Sequence, residues 1–177
     1  SVNGGSLRVY VVHRDSPAAS VAARRERVQA LRLRESSANL TKPRTYVEFG
    51  ERVHRIGGRL RRYLESEREQ GNPTSIYGAS TKGNTLLQVF GLDHNLIHSA
   101  AERNPEKWGK YTVGSWIPIV SEDEARSHAR DFLVLPWHFM DEIQNRERDF
   151  LVRGGKLIAP LPAPYIIDAS GRRPLNT

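Results

Sequence analysis

Residues 75–90 read SIYGASTKGNTLLQVF: a short strand-like run (Ser75-Ile76-Tyr77), a loop bounded by Gly78 and Gly83, and an apolar helix start at Leu86-Leu87. A strand that passes through a glycine loop into a helix is the opening unit of an α/β sheet. In such sheets ligands sit beyond the carboxyl ends of the strands, near the point where the strand order reverses. Within the loop, Ser80, Thr81 and Asn84 offer polar side chains, Lys82 adds a positive charge, and the following helix N-terminus favours an anion. The spacing G-x-x-x-x-G-N-T lacks the Lys that follows the second glycine of a P-loop, and it lacks the three glycines of the dinucleotide fingerprint. On spacing alone, a phosphate cradle and a purely structural turn both stand.

Downstream, Leu96–Ala101, Trp116–Val120, Phe132–Leu135, Lys156–Ala159 and Tyr165–Ile167 read as further strands. Helices are expected from Ser121-Glu122-Asp123-Glu124, with acids at the positive end of the helix dipole, and from Met140 to Arg153, closed by Gly154-Gly155. Upstream, Tyr46, Phe49, Val53, Ile56, Leu60 and Tyr63 step by three and four along one helical face, which predicts a helix over 44–70 stopped by Gly71-Asn72-Pro73. A thinner apolar stripe predicts a helix over 20–35, and Leu7–Val12 reads as a strand. The expected fold is α/β: a Rossmann-like, mostly parallel sheet flanked by helices, preceded by an N-terminal strand and a helical linker. Residues 1–43 form the leading part and 44–177 the main domain.

Two further positions fall at the ligand edge of that sheet. Glu102 lies at the end of the second strand, where Rossmann-like folds place the acid that binds a ribose hydroxyl. A surface carboxylate paired with Arg103 or Lys107 reads equally well. His138, between Trp137 and Phe139 after the fourth strand, suits a hydrogen bond to substrate or proton transfer, against the alternative of a packed ring. His54, His94, His98 and His128 show no metal-ligand spacing, so no metal is expected, and no residue is assigned a catalytic role.

Composition narrows the classes. The chain has no cysteine, which excludes disulfide scaffolds, thiolate zinc sites, iron–sulfur clusters and thiol catalysis. No apolar run approaches the roughly 18–20 residues of a membrane span, Ser1–Ser6 does not open a signal peptide, and a cytoplasmic location is expected. The single methionine is Met140, so residue 1 is not expected to be a translation start. Residues 1–70 hold 15 Lys+Arg against 8 Asp+Glu, whereas residues 71–177 hold 12 of each. The arginines between 24 and 34 read either as a nucleic-acid or membrane arm, or as a solvated helical face or a surface meeting an acidic partner domain. Glutamates interspersed at helical spacing favour the second.

Five segments, taken in order, carry a more specific signal: IYGASTKGNTLLQ (76–88), GLDHNLI (91–97), ERNPEKWGKYTVGSWIPI (102–119), LVLPWHFMDEI (133–143) and FLVRGGKLIAPLP (150–162). Together they resemble the C-terminal domain of the sugar C-methyltransferase family, whose members transfer a methyl group from S-adenosylmethionine to a carbon of a nucleotide-linked deoxysugar. The resemblance covers about residues 40–167, and residues 3–10 look like the last strand of the family's preceding domain. It implies a parent with a cysteine-rich zinc domain and a donor-binding domain. This chain, without cysteine or a donor-type glycine loop, is then expected to be a C-terminal fragment. The family's Glu-His catalytic pair has no match here, and Glu102-Arg103 stands where relatives usually carry Asp-Arg. The implied role is to bind the nucleotide-sugar, a dTDP-sugar, with S-adenosylmethionine held by the missing N-terminal methyltransferase domain. Gly78, Ser80, Thr81, Lys82, Gly83, Asn84, Glu102, Arg103, Trp137 and His138 are the expected contacts. A dinucleotide-binding oxidoreductase domain using Glu102, and an Arg-rich interaction module, are the competing classes.

Overall fold

The computed structural model describes residues 6–20 and 22–175. Their contacts divide the chain into two units, Ser1–Arg52 and Val53–Thr177, and one long helix contributes to both.

The second unit is built around β1 (Thr74–Tyr77), a strand buried at all four positions, as a strand covered on both faces must be. It pairs in parallel with β2 (Ala100–Glu102) on one side and β4 (Asp131–Val134) on the other. The remaining strands are β3 (Ile119–Ser121), β5 (Lys156–Ala159), β6 (Tyr165–Asp168) and β7 (Gly171–Pro174). Their order is β3-β2-β1-β4-β5-β6-β7, parallel through β5 and antiparallel for β6 and β7. The order reverses between β1 and β4, and Tyr77 is in register with both Ala101 and Val134, so three strand ends come level there.

Alternate residues of each strand feed opposite cores. On one face Ile76, Leu133 and Ile158 meet Leu60 and Leu64 of α2 (Pro43–Glu69) and Leu86, Leu87 and Phe90 of α3 (Thr81–Phe90). On the other, Tyr77, Phe132, Val134 and Leu157 meet Ala125 of α4 (Glu122–His128), Ile143 of α5 (Met140–Arg146) and Phe150 and Leu151 of α6 (Arg148–Val152). The first unit holds α1 (Ala22–Ser37) and the opening turns of α2. The apolar stripe of α2 is used unevenly: Leu60 and Leu64 are buried, whereas Tyr46 and Phe49 are exposed.

Several expectations need correction. Leu7–Val12 carries no strand. Its residues are exposed and take part in no strand pairing; residues 3–5 of the stretch 3–10, likened to the last strand of a preceding domain, fall outside the described residues. The second and third strands are shorter and later than expected, at 100–102 and 119–121, because 96–99 and 115–118 are loop, with Leu96, Ile97 and Ile117 buried, His98 and Trp116 exposed, and Trp116 at a left-handed φ of 55°. The helix expected over 140–153 is broken at Glu147. β7, with the polar sequence GRRP, was not foreseen.

A second polar cluster lies at the opposite, amino-terminal end of the strands. Asp131 is fully buried; its Oδ2 accepts from the Tyr63 hydroxyl at 3.3 Å and lies 3.6 Å from Lys156 Nζ, while its Oδ1 has no hydrogen-bond partner. Burial raises its pKa to about 6; Lys156 opposes the shift and the negative charge of Glu67 adds to it. A carboxyl raised in the folded state stabilises most while it is protonated, below its unfolded pKa near 4. That contribution is lost as pH rises through 6, about 3 kcal/mol at most. Urea denaturation across pH 4–7 is therefore expected to show Asp131→Asn gaining on the natural chain as pH rises. Parallel pH profiles for the two proteins would refute this.

Candidate functional site

Where the strand order reverses, the carboxyl ends of β1, β2 and β4 open into a cleft of about 470 Å³. Tyr77 and Gly78 lie at its β1 side, Glu102 and Arg103 follow β2, and Phe139, Glu142 and Arg146 come from the segment after β4.

The glycine loop is tightly folded on itself. Gly78, at φ 86°, donates its amide to Ala101 O at 2.8 Å, and a Cβ on it would come within 3.2 Å of the Pro136 ring. Ser80 is the N-cap of α3, its hydroxyl accepting from the Gly83 amide at 3.1 Å. A Cβ on Gly83 would stand 2.5 Å from Leu135 Cδ1, so this glycine sets how closely α3 lies on the sheet. The Thr81 carbonyl accepts from the Thr85 hydroxyl, and Asn84 Oδ1 accepts from Ser115 at 3.5 Å. Lys82 Nζ lies 5.0 Å from the centroid of the Trp137 ring, a cation–π contact, and Trp137 packs edge-on to His138. Partial burial, and then the Lys82 charge, hold the His138 imidazole below its usual pKa.

Glu102 is the most heavily bonded group at this edge. Oε2 accepts from Lys107 Nζ at 2.9 Å and from the Ala79 amide at 3.3 Å. Oε1 accepts from the amides of Arg103 and Asn104 at 2.9 and 3.1 Å. Burial opposes its charge, but Lys107 and these amides outweigh burial and hold the carboxyl below the usual range. Arg103 reaches the cleft with no side-chain partner among the described residues.

Beneath the cleft lies a charge network that the sequence reading missed. Glu147, only 2% exposed, accepts from the Tyr77 hydroxyl at 2.9 Å and takes two hydrogen bonds from Arg126 at 2.7 and 2.8 Å. Arg126 also pairs with Glu122 and Asp123, while Arg146 donates to the Tyr77 hydroxyl and lies 3.3 Å from Glu122. Burial works against the Glu147 charge and the arginines more than compensate, so its carboxyl stays ionised. Turning Glu147 inward also explains the break between α5 and α6. The Glu122/Arg126 spacing of four was a visible signal; the link to Tyr77 and Glu147 is purely tertiary.

Of the ten expected contacts, Gly78, Glu102 and Arg103 share the cleft. Lys82, Trp137 and His138 form a neighbouring cluster. Ser80, Thr81, Gly83 and Asn84 are engaged in holding α3. Among the described residues, no three His, Asp or Glu side chains are grouped to hold a metal, and no helix is long and apolar enough to cross a membrane.

A family model described as the C-methyltransferase C-terminal domain matches residues 1–162. The C-methyltransferase NovU of Streptomyces niveus is 36% identical to this chain over 169 residues. That alignment takes in 95% of this chain and 39% of the NovU protein, so the chain spans about two fifths of that relative's length.

Removing the Glu147 carboxylate would strand the buried face of Arg126. Glu147→Ala is expected to cost about 3–5 kcal/mol in urea denaturation, far more than an exposed ion pair such as Arg44–Glu48. A loss below 1 kcal/mol would show that the network does not stabilise the fold.

Proposed function

This chain belongs to the family of C-methyltransferase C-terminal domains, and from that premise we propose that it is the part of a sugar C-methyltransferase that binds the nucleotide-linked sugar. The observation that carries the reading is the cleft at the strand-order reversal. It is nucleotide-sized, open at the carboxyl ends of the strands, and offers guanidinium groups, a free carboxylate and an aromatic ring.

S-adenosylmethionine would supply an electrophilic methyl group in such an enzyme. The described residues do not fit that donor: the acid at the end of β2 is saturated by its own loop and Lys107, and the glycine loop closes on itself. The donor and the proton-abstracting base are therefore assigned to a part of the enzyme beyond this chain. Gly78 and Arg103, with Trp137 and His138 beside them, would fix the nucleotide so that the sugar carbon is presented at the edge of the domain, while Lys82 is engaged on the Trp137 ring. Holding one reactant still is itself a large part of such catalysis, since it removes orientational freedom before the chemical step. The substrate class proposed is a dTDP-linked deoxysugar, and the setting proposed is the cytoplasm.

Isothermal titration calorimetry tests this directly. The chain is expected to bind dTDP or a dTDP-sugar and to give no heat with S-adenosylmethionine. Uptake of S-adenosylmethionine without any binding of dTDP would reverse the assignment of the two domains.

A further inference from the structure

The glycine loop after β1 is the place where a fold of this kind ordinarily receives a phosphate. Here that place already holds an anion. The amides of Gly78, Ala79, Gly83 and Asn84 are committed to Ala101 O, Glu102 Oε2, Ser80 Oγ and Ser80 O respectively. The Glu102 carboxylate draws the Ala79, Arg103 and Asn104 amides and the Lys107 ammonium onto itself, an arrangement in which a phosphate would be equally at home. Only the amides at positions 80–82 remain, next to that fixed negative charge, which opposes a second anion there. Lys82, the loop's one cation, is turned onto the Trp137 ring.

The cleft beside the loop is lined by Glu102, Glu122 and Glu142, but it also offers two guanidinium groups. Arg103 has no side-chain partner among the described residues. Arg146 is held by the Tyr77 hydroxyl and Glu122 through Nη2, and its Nε lies 3.8 Å from Glu147 Oε1, which leaves Nη1 without a partner among the described residues. Tyr77 is in turn fixed by Glu147, so Arg146 stands on a rigid base. A guanidinium matches phosphate oxygens in a planar fork, and one such group on each side of a cleft suits two linked phosphates. The remaining unpaired acid of the cleft, Glu142, accepts hydrogen bonds and so suits the hydroxyl or N–H groups of an attached nucleoside or sugar.

We infer that the diphosphate of the ligand is clamped by Arg103 and Arg146 across the cleft, and that Glu102 occupies the glycine-loop anion site as a built-in counterpart. The inference rests on the proposed function for the identity of the ligand, but the clamp itself is a statement about any diphosphate.

Binding of inorganic pyrophosphate and of dTDP to the whole chain, measured by calorimetry with thermal melting as a control on folding, tests it. Arg103→Ala is expected to weaken both ligands by about tenfold or more, the scale of losing a charge-assisted hydrogen bond. Arg146→Lys, which keeps the charge but not the fork, should weaken both by a smaller factor, and Lys82→Ala should change either by less than about twofold. A large loss in Lys82→Ala with Arg103→Ala unchanged would overturn the clamp and return the diphosphate to the glycine loop. If the natural chain binds neither ligand, the clamp is likewise overturned. Pyrophosphate binding that depends on Arg103, without binding of dTDP or its sugar, would leave the clamp in place and remove the proposed substrate instead.

Discussion

At Gly78 the chain leaves the central strand with φ at 86°, and a Cβ there would come within 3.2 Å of the Pro136 ring. Everything at the functional edge depends on this close approach. β1 and β4 are neighbours, yet the chain leaving β1 turns to cover one face of the sheet and the chain leaving β4 turns to cover the other. The two exits must separate at one point, and a side chain at Gly78 would force them apart where they most nearly touch. Gly83 performs the matching task one turn later, letting α3 sit against Leu135. The cleft is the gap left where the two layers diverge, which is why its lining is drawn from β1, β2, α4 and α5 together.

The parts of the fold that were legible in the sequence are those governed by local periodicity. The three-and-four stepping of apolar residues placed α2 within a residue of its observed ends, and Gly71, at φ 77°, stops it as expected. Strands β4 and β5 announced themselves through the apolar runs Phe132–Val134 and Leu157–Ala159, because a strand covered on both faces has no polar side to alternate with, whereas β1 (TSIY) was marked by the glycine loop that follows it. The failures have a common cause. Leu7–Val12 has strand composition but joins no strand pairing, and composition does not supply a partner. Leu96, Ile97 and Ile117 are buried in segments that make backbone hydrogen bonds without extending the regular strands, since burial and strand pairing are separate requirements. β7 is a polar edge strand that exists because β6 offers it a partner.

The site was legible in position but less so in function. Of the residues singled out in the sequence, Gly78, Glu102 and Arg103 lie at the edge where β1 and β4 diverge. The sequence did not show that Ser80 is consumed as a cap or that Gly83 is a packing residue, because both readings share one spacing. Nor did it show Glu147, which lies 70 residues from Tyr77 and bonds it only when α5 and α6 fold over the sheet. Buried charge pairs of this kind leave little local trace. Besides the Glu122/Arg126 spacing of four, their sign was the balanced 12 against 12 charges of residues 71–177, and that balance is equally consistent with a scattered surface.

Glu102 joins the fold to the site. A glutamate has one methylene more than an aspartate, which lengthens the side chain by about 1.5 Å. Oε1 does what a short acid can do, capping the amides of its own turn at Arg103 and Asn104. Oε2 does what the added length permits, reaching across to the Ala79 amide of the neighbouring loop while Lys107 bonds both that oxygen and the Ala79 carbonyl. The glutamate thus ties the exit of β2 to the exit of β1. In doing so it fixes a negative charge between the glycine loop and the cleft. A carboxylate in that place stiffens the edge and at the same time decides on which side of it another anion can settle. The free guanidinium of the next residue, Arg103, lies on the cleft side.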